Sequence, residues 1–328
     1  MKLALLCFIV LISPFILHSQ TVEVLLEKLE LTHKKGSLHS YAENTGEILE
    51  LPITRGGSAL PSSASLKKFI PEVINQQGGS CVSYSSAYYG MTAYLRYNQN
   101  SNELLPCNPL DLHGRILSFY NSCDDINQGS NPIHALTLLR DYGVNSIVSI
   151  DSILWLCNNS NPFDQFPSKL SGWKMLNNTR SNINSLKYAL STGHPVVTGV
   201  STNLSLSVYS QSYFFLSELI QKNEKKVIDF LKKITPEDCL NLTNKEIVNE
   251  ILKIKKIKPG EDICWSGKPP TKNIGGHAMC IVGYDDTKFG GAFEIVNSWG
   301  DDWGNNGFLW IKYNDLYSMF PTFFMIGK

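Results

Sequence analysis

From residue 195 onward the chain stops repeating with the period of a helix. It breaks into short runs rich in Val, Ile, Phe and Tyr, each bounded by Gly, Asp or Asn. The runs are Pro195 to Val200, Ala278 to Tyr284, Ala292 to Ser298, Phe308 to Tyr313 and Phe323 to Ile326. Branched and aromatic residues suit a pleated, half-buried surface, and the small polar residues between them suit turns, so each run is expected as a strand. The first half reads differently. After Cys81, the residues Val82, Ala87, Tyr88, Met91, Tyr94 and Leu95 recur at roughly helical spacing, fed by the loop Gly78, Gly79, Ser80. Ile133 to Tyr142 and Asn184 to Thr192 repeat the helical pattern and are closed by Gly143 and Gly193, the residue type that ends helices without steric cost. Helices first and strands after them dictate an α+β fold, with the helices segregated from a largely antiparallel sheet.

The chain begins Met1, Lys2, then runs almost unbroken through apolar residues from Leu3 to Leu17 before His18, Ser19 and Gln20. A basic start, a short apolar core and a small residue at the cleavage point predict a signal peptide over residues 1–19. The stretch falls short of the ~18 to 20 apolar residues that span a bilayer. The expected protein is therefore secreted or exported (extracellular, periplasmic or lumenal), with no membrane span after cleavage. Residues 20–65, with an amphipathic stretch from Val22 to Leu31 followed by Gly56, Gly57, Pro61 and a serine cluster, read as an N-terminal extension or short propeptide. Residues 66–328 read as the main domain, interrupted by a lysine-rich helical insertion at about 205–272. Within it Thr235 precedes Pro236, Glu237 and Asp238, and Thr243 with Glu246 makes a capping box.

Composition excludes some classes of function. Lys plus Arg and Asp plus Glu both number 29, so no basic field advertises a nucleic-acid partner. No C-x-x-C pair exists to suggest zinc, and neither a metal nor a cofactor is expected. Removing Cys7 with the signal leaves Cys81, Cys107, Cys123, Cys157, Cys239, Cys264 and Cys280. An odd count in an exported chain asks which thiol stays unbridged. If it is Cys81, the other six can form up to three disulfides in about fifteen ways, and spacing does not choose among them.

Cys81 has the surroundings that make a thiol reactive. The thiolate is the nucleophile, and both a helix N-terminus and a neighbouring imidazolium lower its pKa. The loop into the helix supplies the first. For the second, His277 lies in Gly275, Gly276, His277, Ala278, Met279, Cys280, Ile281, Val282, Gly283, Tyr284, Asp285. There the glycines permit close backbone approach and the following strand fixes the ring. The other ring nitrogen needs an orienting partner, which an amide supplies without cancelling the ion pair. Asn297 is that candidate, in Asn297, Ser298, Trp299, Gly300, followed by Asp301, Asp302, Trp303, Gly304 and then Gly307 to Ile311.

These three blocks, with Asn75, Gln76, Gln77, Gly78, Gly79, Ser80, Cys81 as the first, closely resemble the active-site blocks of the papain-like cysteine peptidase family, in its order Cys, His, Asn. The resemblance covers roughly residues 66 to 326, with the insertion outside it. In that family His and Asn follow the cysteine by roughly 130 to 150 residues. Here the separations from 81 to 277 and from 81 to 297 are 196 and 216 residues. The excess matches the insertion in size and position. The resemblance implies a two-lobed fold, a helical lobe carrying the Cys and an antiparallel sheet or barrel lobe carrying His and Asn. It implies Cys81, His277 and Asn297 as catalytic, Trp299 as the shield of the His–Asn bond, and Gln76 as the oxyanion-hole side chain, with Gln77 the fallback because the loop is one residue shorter than the family's. Gly78 and Val82 stand where the family has a cysteine and a tryptophan, so the disulfide made by that cysteine is absent.

The activity implied by the resemblance is hydrolysis of peptide bonds through a thiolate–imidazolium pair and an acyl enzyme. Peptide or protein substrates, and inhibitor proteins, are the implied partners. A catalytically inactive papain-like binding module and a transpeptidase using the same triad are the alternatives. His134, beside Ala135, Leu138 and Leu139, reads as part of a helix surface, His113 and His194 carry no partner pattern, and Trp155, Trp173 and Trp265 read as core or rim.

Overall fold

The structure, a computed structural model, describes residues 48–49, 59–147, 153–176, 183–202, 260–265, 275–319 and 321–327. The signal peptide, most of the N-terminal extension and nearly all of the lysine-rich insertion lie outside the described residues.

Helix α1 starts at Cys81 and runs through three consecutive segments, Cys81–Ser83, a π-helical stretch Tyr84–Met91, and Thr92–Gln99. Π-helical turns are rare and often mark functional sites. Here the wider turn is tied down by Thr92, whose hydroxyl donates to the Ala87 carbonyl at 3.2 Å and accepts from the Cys107 N–H at 2.9 Å. The helix stops at Asn100, in the left-handed region at φ 46. Its two faces serve two cores. Tyr84, Tyr88, Tyr89 and Ala93 pack with the sheet, whereas Val82, Ala87 and Met91 pack with Leu112, Ile116, Leu136 and Leu139 of the neighbouring helices. The helix therefore lies on the boundary between the two halves of the molecule.

Helix α2 (Pro109–Phe119) begins at Asn108, whose side chain accepts from the N–H groups of Leu110 and Asp111, with Pro at the first position. Helix α3 (Pro132–Asp141) repeats the device with Asn131. The helix expected over 133–142 is thus present, and Gly143 behind it takes φ +79. Helix α4 (Ile153–Asn159) packs on α2, and Gly114 makes this possible: a Cβ there would lie 2.9 Å from that of Leu156. A disulfide joins Cys157 of α4 to Cys123. Helix α5 (Ile183–Ser191) agrees with the expected 184–192 and is followed by Gly193 at φ +89.

The strands are β1 (Ile48–Leu49), β2 (Ser63–Ser65), β3 (Trp173–Leu176), β4 (Val196–Thr202), β5 (Cys264–Trp265), β6 (Gly275–Asp285), β7 (Ala292–Val296), β8 (Phe308–Lys312) and β9 (Thr322–Ile326). A short helix α6 (Tyr313–Tyr317) separates the last two. Among the described residues they form one sheet in the order β1-β3-β9-β4-β6-β7-β8-β5, with β2 also on β6. The edge pairs β1–β3 and β5–β8 are parallel and the rest antiparallel. All five strands expected from the sequence are present. The α+β expectation, helices in one lobe and a mainly antiparallel sheet in the other, is what the molecule has. The longest strand, β6, runs through the centre and packs against the start of α1.

Candidate active site

Cys81 is the first residue of α1 and is fully buried. The strand packed against that helix start, β6, carries His277 as its third residue, opposite Val200 of β4. The imidazole Nε2 lies 2.7 Å from Asn297 Oδ1. That same oxygen accepts the Ser298 N–H at 2.8 Å. An atom that accepts from a backbone amide is the carbonyl oxygen of the side chain, so the Asn297 amide has one orientation and His277 Nε2 is the protonated nitrogen. The Trp299 ring stacks on the imidazole at 4.5 Å and 24° between planes, and Trp303 meets Trp299 edge-on at 5.8 Å. With Trp299 itself buried, the His–Asn bond is kept from water, where it would be weakened by competition.

The loop before Cys81 and the loop after Asn297, far apart in sequence, run side by side. The Gln76 N–H donates to the Ser298 carbonyl at 2.7 Å, and Asn75 bridges to Trp299. Gly300, at φ +82, is required here because a Cβ would sit 2.7 Å from the Asn75 amide nitrogen. Side chains complete the seam. Gln76 Oε1 accepts the Ser298 hydroxyl at 2.7 Å, and Gln76 Nε2 donates to the Gly78 carbonyl at 2.9 Å. Gln77 is exposed, and its carbonyl accepts the Ser80 hydroxyl at 2.5 Å.

The structure thus brings His277, Asn297 and Trp299 into contact, and seats Gln76 against Ser298 beside them. Ser298 is the partner that sequence reasoning left without a role, although it lies inside the block that identified Asn297. The other described thiols are chemically quiet. Burial pushes Cys107 up to about 11 and raises Cys280 further above the ordinary thiol range. Cys264 is raised too, again by burial. Such thiols stay protonated and are poor nucleophiles.

Of the tryptophans read as core or rim, Trp265 is fully buried and Trp155 is 56% exposed. His134 is exposed and bonds to the Tyr120 hydroxyl. Among the described residues no helix is long and apolar enough to cross a membrane.

A family model described as papain family cysteine protease matches residues 265–319. Cathepsin B-like CP1 of Giardia intestinalis is 52% identical over 40 residues, which is 12% of this chain and 13% of that protein. Among solved structures, xylellain, a cysteine protease from Xylella fastidiosa, is similar with a TM-score of 0.58 at 19% identity, over 90% of this chain and 96% of xylellain. Digestive procathepsin L 3 of the Tenebrio molitor larval midgut is similar at a TM-score of 0.54 and 15% identity, over 92% of this chain and 79% of that one. Procathepsin B S9 from Trypanosoma congolense gives 0.52 at 14% identity, over 89% and 86% of the two chains. At these identities the likeness speaks to the fold, while the matched segment holds His277 and Asn297 and leaves Cys81 outside it. The chain therefore has the papain-like fold and, over residues 265–319, carries the sequence signature of the papain family of cysteine proteases.

Proposed function

We propose that this protein is a cysteine peptidase that hydrolyses peptide bonds, with Cys81 as nucleophile, His277 as its proton partner, Asn297 as the group that orients His277, and Gln76 in the oxyanion hole. The observation that carries the reading is the shielded His277–Asn297 bond on a strand packed against the helix that starts at Cys81. With Nε2 held by Asn297, Nδ1 is the nitrogen that serves the thiol. Proton transfer from Cys81 to Nδ1 gives the thiolate–imidazolium pair, steadied by the positive end of α1.

The thiolate attacks the carbonyl carbon of the substrate. Negative charge moves to the carbonyl oxygen, which rests between the Cys81 N–H and the Gln76 side-chain amide. The Cys81 N–H belongs to the first turn of α1, where N–H groups point out of the helix start. Ser298 supports Gln76 in this role by holding its oxygen. The Gly78 carbonyl takes one hydrogen of the Gln76 NH₂ group and the second hydrogen is the donor to the substrate, and the exposure of Gln77 speaks against the fallback. His277 then protonates the leaving amine, and the acyl enzyme is released when the same ring takes a proton from water. Export through residues 1–19, trimming within residues 20–65, protein substrates and proteinaceous inhibitors belong to the same reading.

A peptide-library assay under reducing conditions tests it. Wild type is expected to cleave, and Cys81→Ala to lose all measurable hydrolysis while keeping the wild-type circular dichroism spectrum. Undiminished cleavage by the variant, or a wild type that binds peptides without cutting them, sinks the assignment in favour of a binding module. Product analysis with an added amine separates a hydrolase from a transpeptidase.

A further inference from the structure

Three tyrosines of α1, Tyr84, Tyr88 and Tyr89, are buried on the face that meets the sheet. An α-helix would not place all three there. At 3.6 residues per turn, positions i and i+4 share a face and position i+5 points away from it. A π-helical turn, closed by i to i+5 bonds, holds one residue more. The stretch Tyr84–Met91 is π-helical, and the Thr92 N–H that closes it donates to the Ala87 carbonyl in this pattern. The wider turn brings Tyr89 round beside Tyr88, with ring centroids 4.9 Å apart, and leaves Tyr84 5.8 Å from Tyr88.

Two hydroxyls are thereby delivered to one stretch of backbone. Tyr88 donates to the Glu72 carbonyl at 2.8 Å. The Tyr89 hydroxyl, both donor and acceptor, accepts the Ile74 N–H at 3.3 Å and donates to the Ile74 carbonyl at 3.4 Å. Residues 70 to 74 have no regular structure of their own. Two residues further on lies Gln76, whose N–H meets the Ser298 carbonyl. Gly307 backs the same segment, since a Cβ there would lie 2.3 Å from Val73. Beyond Gln76 the chain is held again, by a strap that follows Cys123. The Ile126 carbonyl of this strap accepts the Gly79 N–H at 3.1 Å, and a Cβ on Gly78 would sit 2.3 Å from the same oxygen. Gln76 thus hangs between two fixed points, and the tyrosines supply the one before it.

We infer that Tyr88 and Tyr89 are positioning residues for the oxyanion hole: their hydroxyls fix the backbone at Glu72 and Ile74, and so the place from which the Gln76 amide meets the substrate oxygen. The inference rests on the peptidase reading, and within it on Gln76. Both hydroxyls bind main-chain atoms alone, so they set where the segment lies and make no contact that selects a substrate. A donor aimed at charge that appears in the transition state acts on the chemical step rather than on binding.

The test uses Tyr88→Phe, Tyr89→Phe and the double variant, which keep the rings and their packing, each in the wild-type chain and in Gln76→Ala. Two readouts are taken on protein shown by circular dichroism to be folded at the assay temperature: kcat and KM on a peptide substrate, and amide hydrogen exchange resolved by segment. In the double variant kcat should fall about tenfold with KM unchanged, less than the ~10²- to 10³-fold typical of deleting an oxyanion donor outright. Amides of residues 73 to 76 should exchange faster, and those of α2 at the wild-type rate. Added to Gln76→Ala, the same two substitutions should change kcat by less than about twofold, because the group they position is already gone. If the double variant is too unstable to assay, the two single variants carry the same comparison.

A full tenfold loss repeated on top of Gln76→Ala overturns the inference, because the hydroxyls would then act on the fold at large. So does a wild-type kcat in the phenylalanine variants, or a loss of kcat/KM that lies in KM. Should wild type cleave no peptide at all, the peptidase reading fails, and the exchange of residues 73 to 76 still decides whether the tyrosines hold the segment.

Discussion

At the scale of single residues, the site is built by partners that each leave one option open to the next. Ser298 donates its backbone N–H to Asn297 and its hydroxyl to Gln76, so one residue holds both the proposed orienting group of His277 and the proposed oxyanion side chain. Ser298→Ala keeps the first contact and deletes the second. It should therefore lower kcat without changing KM, and by less than Gln76→Ala, for which a loss of about 10²-fold is expected. Steady-state kinetics on the two variants and their double mutant checks this. A double mutant that loses the product of the two single effects would show that Ser298 does not act through Gln76. His113 makes a second residue-scale prediction. Its folded pKa of about 4 lies below the unfolded value of 6.5, with burial the main cause and the Ile126 carbonyl opposing it. The unfolded state thus binds a proton that the folded state refuses. Stability is complete above about pH 6.5 and is lost progressively as the pH falls to about 4. Urea midpoints measured across this range should slope for wild type and slope less for His113→Leu.

At the scale of elements, the decisive piece is the strap between Cys123 and Asn131, which carries no regular structure yet holds the loop that presents Cys81. Closing a loop of separation 34, its disulfide should contribute about 2–4 kcal/mol. The Cys123→Ala/Cys157→Ala double variant is expected to unfold at correspondingly lower urea, and an unchanged midpoint would mean that α2 and α4 hold the strap unaided. Elements differ in how plainly the sequence announces them, and the reason is locality. Helices α3 and α5 are legible because an apolar stripe ends at a glycine that goes left-handed. The strand carrying His277 and the strand leading into Asn297 are legible because a short apolar run and its flanking turn residues are close together in sequence. Helix α2 is not, since Gly114 weakens its pattern and is explained only by Leu156 across the interface. The pairing of β3 with β9, and of β9 with β4, is a tertiary choice that no local period records. For the candidate site, motifs point to Cys81, His277, Asn297, Trp299 and Gln76. Ser298 as the holder of Gln76, and the strap over Gly78 and Gly79, are contacts between distant segments and emerge only in the folded chain.

At the scale of the whole molecule, the N-terminal segment bears on where a mature chain can begin. Strand β2 pairs with the central strand β6, Ser63 to Ser65 against Asp285 to Gly283. Around it the Leu66 N–H donates to the Val282 carbonyl at 2.7 Å, the Asp286 N–H to the Ser62 carbonyl at 2.9 Å, and the Tyr284 hydroxyl to the Pro61 carbonyl at 2.7 Å. Residues 61 to 66 therefore cover one flank of the strand that carries His277. Each of these bonds contributes about 0.5–1.5 kcal/mol net, and breaking them also leaves polar groups of β6 without partners. Among the described residues, removal of the chain up to 58 takes away only the edge pair β1–β3 and should lower the urea midpoint less than a start at Leu66 does. A chain starting at Leu66 loses the Ser62 and Pro61 acceptors, two such bonds together worth about 1–3 kcal/mol, and the β2 ladder on β6 besides. If the extension is trimmed to give active enzyme, the new N-terminus is expected before Pro61, and terminal sequencing of the active protein would find it there. A start at or beyond Ser65 in fully active protein would mean that β6 holds His277 in place without β2, and that the sheet's rigidity at the site comes from β4 and β7 alone.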